Sequence, residues 1–488
     1  MLHAKLANGG TAVFQHSPET QRLQKEWEAG CQADEIYEKA LPRYRAWLRR
    51  ILVSRLRAEN EMLGRLQKRI RTPWRDRYFF WTAIFGTHTF FMTVLPMCFW
   101  FGGDVHGRGL LYVTGLGIYV SSYAKDLACT PRPYSPPVIR LSMSTHGQEY
   151  GFPSSHSTNA VSIALFLASL LVRLQETQAI SQTAVYIGKI ALLWYASSVI
   201  FGRIYCGMHS TTDCAAGAIM GWACWQAWEF AAPAVEGWVE GGHWTVPLIS
   251  IVVCLAMVHK HPEPVDDCPC FEDAIAVLSV MLGSFLCHWS TAKYFPKVSE
   301  SPSNFQNSFN KLPYPWSMLA GVSLALVKIT LGIAILFAWR IVCKKVMRFL
   351  LPKVFRAFAK TFGVDLPTRK HYKAATDYGD VPDSHRIAAM PSFVDIPSEA
   401  VVASALPSTT RGYLHLRGSD PNSRKNFSTD QLASESPAMT DEIDDEIDDE
   451  HYDIDVLSKV FVYSGIGVLA IGVVPAIFRQ IENAPYAW

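Results

Sequence analysis

Charged side chains are scarce in this sequence. They make up 18% of its 488 residues, against about 25% in typical soluble domains. The deficit is concentrated in long uncharged runs such as 79–101, 317–339 and 460–478. Each run is close to the roughly 20 helical residues that cross a bilayer. This pattern excludes a soluble globular enzyme and predicts a protein with several membrane spans.

Neither sign of charge is in excess, and recognised metal-binding patterns are missing. The 45 Lys and Arg residues nearly balance 43 Asp and Glu residues, so we predict no nucleic-acid partner. Cys268 and Cys270 form a C-x-C with His259 and His261 nearby, but the spacing is not that of a zinc site. We interpret these cysteines as turn-stabilising or redox residues and predict no metal and no cofactor. Residues 1–24 lack an uninterrupted apolar stretch, so no cleaved signal peptide is expected.

Hydropathy divides the chain into regions and predicts an all-α, polytopic membrane protein with about 8–9 transmembrane helices. The predicted regions are a polar amino-terminal segment (1–35), a basic amphipathic helix (36–77), a catalytic membrane core (78–232), additional transmembrane helices and loops (233–373), a disordered acidic linker (374–455) and a carboxy-terminal transmembrane helix (456–488). The candidate spans are 79–101, 110–124, 158–174, 184–202, 212–232, 245–258, 272–289, 317–342 and 456–478.

The segment 36–77 combines apolar residues at helical spacing with a face rich in arginine. The apolar pattern is interrupted at Glu59 and Asn60. One interpretation is a helix that lies on an anionic membrane surface. The other is a helix docked on the protein's own soluble face, and the sequence favours neither.

Three polar clusters interrupt the membrane pattern. They are Lys125 to Pro133 after the second span, Phe152 to Thr158 at the start of the third, and Gly202 to Asp213 between the fourth and fifth. Two spans joined by a short turn separate the second cluster from the third. Because such a hairpin returns the chain to the side it left, we expect all three clusters to lie at one membrane face.

The composition of these clusters indicates an anion site. Lys125, Arg132 and Arg203 supply three cations, two of them guanidinium groups suited to phosphate oxygens. Ser154 and Ser155 stand where a helix begins, and free amides there attract phosphate. No cage of carboxylates for Mg²⁺ accompanies them.

Two histidines add reactive groups to the anion site. His209 and Asp213 are four residues apart, so the carboxylate could orient the imidazole, and His156 supplies a second imidazole. Taken alone, none of these residues indicates catalysis. The pattern R-x5-H-x3-D formed by Arg203, His209 and Asp213 occurs by chance in about one chain in sixteen of this length. The ordered set of three clusters at one face makes coincidence implausible.

These clusters resemble the three signature motifs of the type 2 phosphatidic acid phosphatase (PAP2) superfamily, K-x6-R-P, P-S-G-H and S-R-x5-H-x3-D. The sequence departs from them at Ser155, where the motif has glycine, and at Gly202, where it has serine. The second departure removes a hydroxyl that could bind phosphate. Within the superfamily the resemblance is greatest to sphingoid-base 1-phosphate phosphatases of the fungal dihydrosphingosine type, over roughly residues 70–370.

The resemblance implies a PAP2-like helical core and a division of roles among the motif residues. His209 would attack phosphorus, Asp213 would hold the tautomer of His209, and His156 would protonate the departing lipid alkoxide. Lys125, Arg132 and Arg203, with the amides of Ser154 and Ser155, would neutralise the transferring phosphoryl group.

The implied substrate is a phosphorylated sphingoid base within membrane lipid, and the implied location is the endoplasmic reticulum membrane. A broad-specificity phosphatase of phosphatidic or lysophosphatidic acid is the alternative in the same class. A non-catalytic lipid-phosphate transporter or scaffold is the alternative in a different class.

The side of the membrane that carries the clusters stays open. Lysines and arginines following the eighth span, with arginine-poor loops opposite, favour a cytosolic catalytic face by the positive-inside rule. The superfamily resemblance implies a lumenal or exterior face. A glycosylation acceptor at Asn426 would share the catalytic side by span count.

Overall fold

A computed structural model describes residues 3–5, 13–15, 28–86, 88–101, 103–141, 149–266, 268–295, 316–363 and 454–483. Nearly all of these residues are helical, as predicted. The exceptions to the all-α prediction are the short antiparallel strands β1 (His3–Lys5) and β2 (Val13–Gln15). Most of the predicted acidic linker, including Asn426, lies outside the described residues.

The helices are named here in chain order. They are α1 (Asp34–Ala40), α2 (Arg43–Ile70), α3 (Pro73–Thr82), a 3₁₀ turn (Ala83–Gly86), α4 (His88–Trp100), α5 (Asp104–Ala128), α6 (Ser155–Glu176), α7 (Gln182–Tyr205), α8 (Thr211–Glu240), α9 (Thr245–His259), α10 (Cys270–Tyr294), α11 (Trp316–Phe362), α12 (Ile454–Val468), a π-helical turn (Leu469–Val473) and α13 (Val474–Asn483).

The chain is a multi-pass membrane protein, but the predicted count of 8–9 spans is not confirmed. Five helices of the described residues are long and apolar enough to cross a bilayer: 155–176, 182–205, 270–294, 321–362 and 455–480. The first predicted span, 79–101, is divided among α3, the 3₁₀ turn and α4. Helix α9 has 15 residues and is shorter than a bilayer requires.

Small residues bring the central helices into close contact. A β-carbon on Gly217 of α8 would lie 2.4 Å from the carbonyl oxygen of Ser154, and one on Gly221 would lie 2.2 Å from that of Thr158. Glycine at these two positions therefore lets α8 pack directly against the first turn of α6. That contact places the beginning of α6 beside the beginning of α8.

The carboxy-terminal span packs into the same bundle, although the family resemblance did not extend to it. A β-carbon on Gly283 of α10 would lie 2.1 Å from the carbonyl oxygen of Ser464 in α12. The indole of Trp339 in α11 donates to the carbonyl of Val462 at 3.0 Å. Trp100 of α4 donates in the same way to Ala470 at 3.1 Å. Three helices are therefore fastened to the terminal span.

The basic amphipathic region 36–77 is divided among α1, α2 and α3 rather than forming one helix. The buried face of α2 contacts the protein itself, as the second interpretation of this segment expected, and the membrane-surface interpretation of its outer face stays a prediction. That buried face consists of Arg45, Arg49, Val53, Leu56, Asn60, Leu63, Gly64 and Gln67.

The α10–α12 contact gives a stability prediction. Gly283→Ala should lower the thermal unfolding midpoint of the purified, detergent-solubilised protein, because overpacking costs about 1–3 kcal/mol. Gly237→Ala is the matched control, since a β-carbon there meets nothing within 4 Å and alanine favours a helix. Equal midpoints for the two variants would contradict the close contact between α10 and α12.

Candidate active site

The structure brings the three predicted clusters together. Lys125 lies in the last turn of α5, Ser155 is the first residue of α6, and Arg203 lies in the last turn of α7. His209 lies in the short loop between α7 and α8, and Asp213 in the first turn of α8. Direct contacts join the clusters, because Lys125 Nζ donates to Ser155 Oγ at 3.3 Å.

The beginning of α6 is capped as the sequence predicts. Ser154 is the N-cap residue, and its hydroxyl accepts from the Ser157 amide at 3.3 Å. The Ser154 amide, however, donates to the carbonyl oxygen of Asp213 at 3.1 Å. The predicted role of that amide as a phosphate donor therefore needs correction, since it already serves to connect α6 to α8.

The cations of the site are buried, and two of them share an acidic partner. Glu149 Oε2 lies 3.0 Å from Lys125 Nζ and 2.9 Å from Arg132 Nη2. Arg132 Nε also donates to the carbonyl oxygen of Glu149 at 3.1 Å. Arg203 is 7% exposed, and its Nε has no hydrogen-bond partner within the part of the chain that the structure describes. A buried guanidinium nitrogen without a partner favours binding of an anion.

His209 is 1% exposed and its ring is held by the backbone. Its Nδ1 lies 2.8 Å from the carbonyl oxygen of Gly151. Because a carbonyl can only accept, we assign the proton to Nδ1, which leaves the Nε2 lone pair for attack on phosphorus. Burial and the nearby cations Arg203, Arg132 and Lys125 hold the pKa of His209 well below its ordinary value of 6.5. The imidazole is therefore neutral at physiological pH.

Asp213 contacts His209 less closely than the resemblance implied. Its Oδ2 lies 3.9 Å from His209 Nδ1, beyond hydrogen-bond distance. The same oxygen accepts from the Ser210 amide at 2.7 Å, while Ser210 Oγ accepts from the Asp213 amide. This reciprocal capping box begins α8. In this structure the Gly151 carbonyl holds the tautomer of His209, and Asp213 fixes the turn that carries His209.

His156, the second predicted imidazole, lies one residue into α6 and is half-buried. It packs against the end of the 3₁₀ turn, where a β-carbon on Gly86 would lie 2.4 Å from His156 Cδ2. Any residue larger than glycine at position 86 would have to displace the imidazole of His156. The turn that interrupts the first predicted span therefore forms one wall of the site.

The departure from the motif at Gly202 has a packing explanation. A β-carbon on Gly202 would point at Phe79 of α3, 3.2 Å from its Cδ1, and at Thr82, 3.7 Å from its Oγ1. A serine side chain here would meet α3. Glycine at position 202, which lacks this side chain, therefore leaves room for α3 to pack against α7.

Sequence reasoning missed three contributors to the site. Glu149 and the Gly151 carbonyl precede the second cluster, and nothing in their residue types marked them. Glu59 was visible as a break in the apolar pattern of α2. Its carboxylate accepts from the amides of Thr211 at 2.8 Å and Thr212 at 3.2 Å, and both threonine hydroxyls also donate to it. The break in the apolar pattern of α2 at Glu59 therefore indicated a residue with a role in the site.

A second buried polar cluster begins at Asp126, the residue that follows Lys125. Asp126 Oδ2 pairs with His261 Nε2 at 2.9 Å. Ligand atoms of Asp126, Cys268 and Cys270 lie within 4.8 Å of one another, so these residues have the chemistry to hold a metal ion. Both thiols are free and buried. Asp266 accepts from the Tyr150 hydroxyl at 2.9 Å, which fastens this loop to the segment that carries Glu149 and Gly151.

Comparison with known proteins identifies the family of this chain. The PAP2 superfamily model matches residues 107–232. A dihydrosphingosine 1-phosphate phosphatase of Schizosaccharomyces pombe is 33% identical over 318 residues, which cover 64% of this chain and 73% of that protein. The chain belongs to the PAP2 superfamily.

Other relatives of this PAP2 protein carry related names. A dihydrosphingosine 1-phosphate phosphatase of Saccharomyces cerevisiae is 39% identical over 48% of this chain and 58% of its own length, less than two thirds. A PAP2 type phosphatidylglycerolphosphate phosphatase from Bacillus subtilis has a solved structure that is 20% identical and covers 39% of this chain and 93% of its own, with a TM-score of 0.33.

The Glu59 contacts predict that α2 positions the loop that carries His209. Glu59→Ala should lower both the unfolding midpoint and kcat, since losing charge-assisted bonds to the half-buried donors of Thr211 and Thr212 costs about 1–3 kcal/mol. Glu61→Ala, exposed on the same helix, should change neither value. Equal effects of the two substitutions on kcat would contradict this role.

The effect of Glu59→Ala on stability should also depend on pH. Burial raises the pKa of Glu59, but the Thr211 and Thr212 donors outweigh burial and hold it below its ordinary 4.5. A depressed carboxyl pKa stabilises the fold above the ordinary value, and the stabilisation is lost as the pH falls through the folded pKa. Unfolding midpoints measured from pH 7 to pH 3 should converge for wild type and variant at the acid end.

Proposed function

We propose that this PAP2 protein hydrolyses sphingoid long-chain base 1-phosphates, such as dihydrosphingosine, phytosphingosine or sphingosine 1-phosphate, to the free base and inorganic phosphate. The observation that carries the proposal is a neutral, backbone-held imidazole among three buried cations. His209 provides the nucleophile, and Lys125, Arg132 and Arg203 surround it. The names of the fungal relatives support the substrate class.

The first chemical step is attack of His209 Nε2 on phosphorus. The bond from phosphorus to the lipid oxygen breaks as the nitrogen–phosphorus bond forms, and the product is a phosphohistidine. His156 protonates the departing alkoxide. His156 then accepts a proton from water, and the resulting nucleophile cleaves the nitrogen–phosphorus bond and releases inorganic phosphate.

The cations supply most of the transition-state stabilisation. Charge spreads over the equatorial oxygens of the transferring phosphoryl group, and donors that are already fixed need no reorganisation when it develops. Ser155 contributes from the N-terminus of α6, where its hydroxyl accepts from Lys125. Asp213 acts through the capping box that begins α8. No metal or cofactor takes part in this scheme.

A site at the ends of apolar helices suits a lipid substrate. Lys125, Ser155 and Arg203 lie at helix ends, and α6 and α7 are long and apolar enough to cross a bilayer. A phosphate at the interface can enter the cation cluster while the hydrocarbon chain stays in the bilayer. The endoplasmic reticulum is the membrane that we propose, as the family resemblance implies.

Two substitutions test the mechanism. His209→Ala and His156→Ala should each reduce phosphate release from a sphingoid-base 1-phosphate to background, because one removes the nucleophile and the other the acid. His243→Ala is the control, since His243 is exposed in the turn between α8 and α9. Activity that persisted in both alanine variants would overturn the mechanism.

Trapping and a substrate panel separate this proposal from its alternatives. Brief incubation with ³²P-labelled substrate should label the wild type at His209, whereas a transporter or scaffold would take up no covalent label. A broad-specificity phosphatase would process phosphatidic acid as well as sphingoid-base phosphates. We expect a clear preference for the sphingoid base.

A further inference from the structure

The most unexpected group in the phosphate site is a carboxylate. Glu149 Oε2 is within 3.0 Å of both Lys125 Nζ and Arg132 Nη2. The lysine and arginine side chains are 5% and 7% exposed, whereas that of Glu149 is 36% exposed. The carboxylate is therefore the most accessible member of this group, and it occupies two cations that a phosphate would need.

A carboxylate at this position opposes the binding of phosphate alone. It competes for the two cations that a phosphate needs, and once displaced it remains a negative charge beside a dianion. A site that bound only a phosphate group would have a higher affinity for phosphate without the Glu149 carboxylate. The arrangement is favourable when the ligand brings a positive charge of its own next to its phosphate.

Sphingoid-base 1-phosphates have this property, and diacyl phosphates do not. The free base carries an ammonium group on the carbon adjacent to the one that bears the phosphate ester. In phosphatidic acid the corresponding carbon carries an ester oxygen, and in an N-acylated sphingoid phosphate it carries a neutral amide.

The backbone around Glu149 is fixed relative to the nucleophile. The next residue, Tyr150, is fully buried and its hydroxyl donates to Asp266. The carbonyl of Gly151 contacts His209, and its amide donates to the carbonyl of Thr130 at 2.8 Å. The carboxylate can thus change partners at the end of its side chain while its main chain stays in place.

We propose that Glu149 is the ammonium-binding residue that selects free sphingoid-base phosphates over N-acylated and diacyl phosphates. In the empty site its carboxylate pairs with Lys125 and Arg132. On binding, the substrate phosphate takes these two cations, and the substrate ammonium takes the carboxylate. This inference rests on the proposed function, because it requires that sphingoid-base phosphates are substrates.

The test compares two substrates that differ in one group. Purified full-length wild type and Glu149→Gln are assayed with dihydrosphingosine 1-phosphate and with its N-acetyl derivative. The wild type should prefer the free amine. Glu149→Gln should raise KM for the free amine about tenfold or more, the range for losing a charge-assisted pair. With the N-acetyl substrate its kcat/KM should fall much less than with the free amine, so the preference for the free amine should shrink.

Two further measurements keep the proposal falsifiable if the glutamine variant folds poorly. Glu149→Asp retains the charge and should keep part of the preference for the amine. The preference of the wild type should also decline as the pH rises through the pKa of the substrate amine, because a neutral amine no longer pairs with a carboxylate. The N-acetyl substrate has no such group and controls for other effects of pH.

The outcomes separate this inference from the proposed function. An equal loss of kcat/KM for both substrates in Glu149→Gln would assign Glu149 a purely structural role and overturn the inference. Equal use of both substrates by the wild type would also overturn it, while leaving a sphingoid-phosphate phosphatase intact. Failure of the wild type to release phosphate from the free-base substrate would instead overturn the proposed function.

Discussion

The burial of three cations beside a neutral histidine is the constraint on which the rest of the structure depends. Removing a charged group from water costs several kcal/mol unless it is paired and hydrogen-bonded. Glu149 compensates Lys125 and Arg132, whereas Arg203 keeps a buried Nε without a partner among the described residues. Burial, together with these cations, lowers the pKa of His209. One electrostatic arrangement thus attracts phosphate and keeps the nucleophile unprotonated.

Such a cluster needs rigid surroundings, and α2 provides them from outside the bundle. Its buried face is unusually polar, and its side chains hydrogen-bond to the connections that carry the site. Arg49 Nε donates to the carbonyl of Cys129 at 3.1 Å, and Gln67 Nε2 donates to Ile139 and Tyr205, both at 2.9 Å. Together with the Glu59 contacts to α8, these bonds pair backbone groups that do not belong to a regular helix hydrogen-bond ladder. The helix holds the motif loops against one another.

The sequence predicted the members of the site better than their partners. Lys125, Ser155 and Arg203 come together as the motif order and the hairpin between α6 and α7 indicated. The partner of His209 was not predicted, because a main-chain carbonyl such as that of Gly151 has no signature in residue type. The predicted count of 8–9 spans is not confirmed, and hydropathy alone did not show that the first apolar run is divided by the 3₁₀ turn that ends at Gly86.

The sequence by itself determined the chemistry available to this protein, namely apolar runs long enough for a bilayer and an ordered set of cations and histidines suited to phosphate. These features depend only on residue type and on spacing along the chain, so they are visible without knowledge of the tertiary contacts. The tertiary structure decided the rest: that Asp213 caps α8 at 3.9 Å from the imidazole, that α2 docks through its polar face, and that Glu149 lies among the cations. Each depends on contacts between residues distant in the chain, and their geometry is set by packing rather than by local sequence.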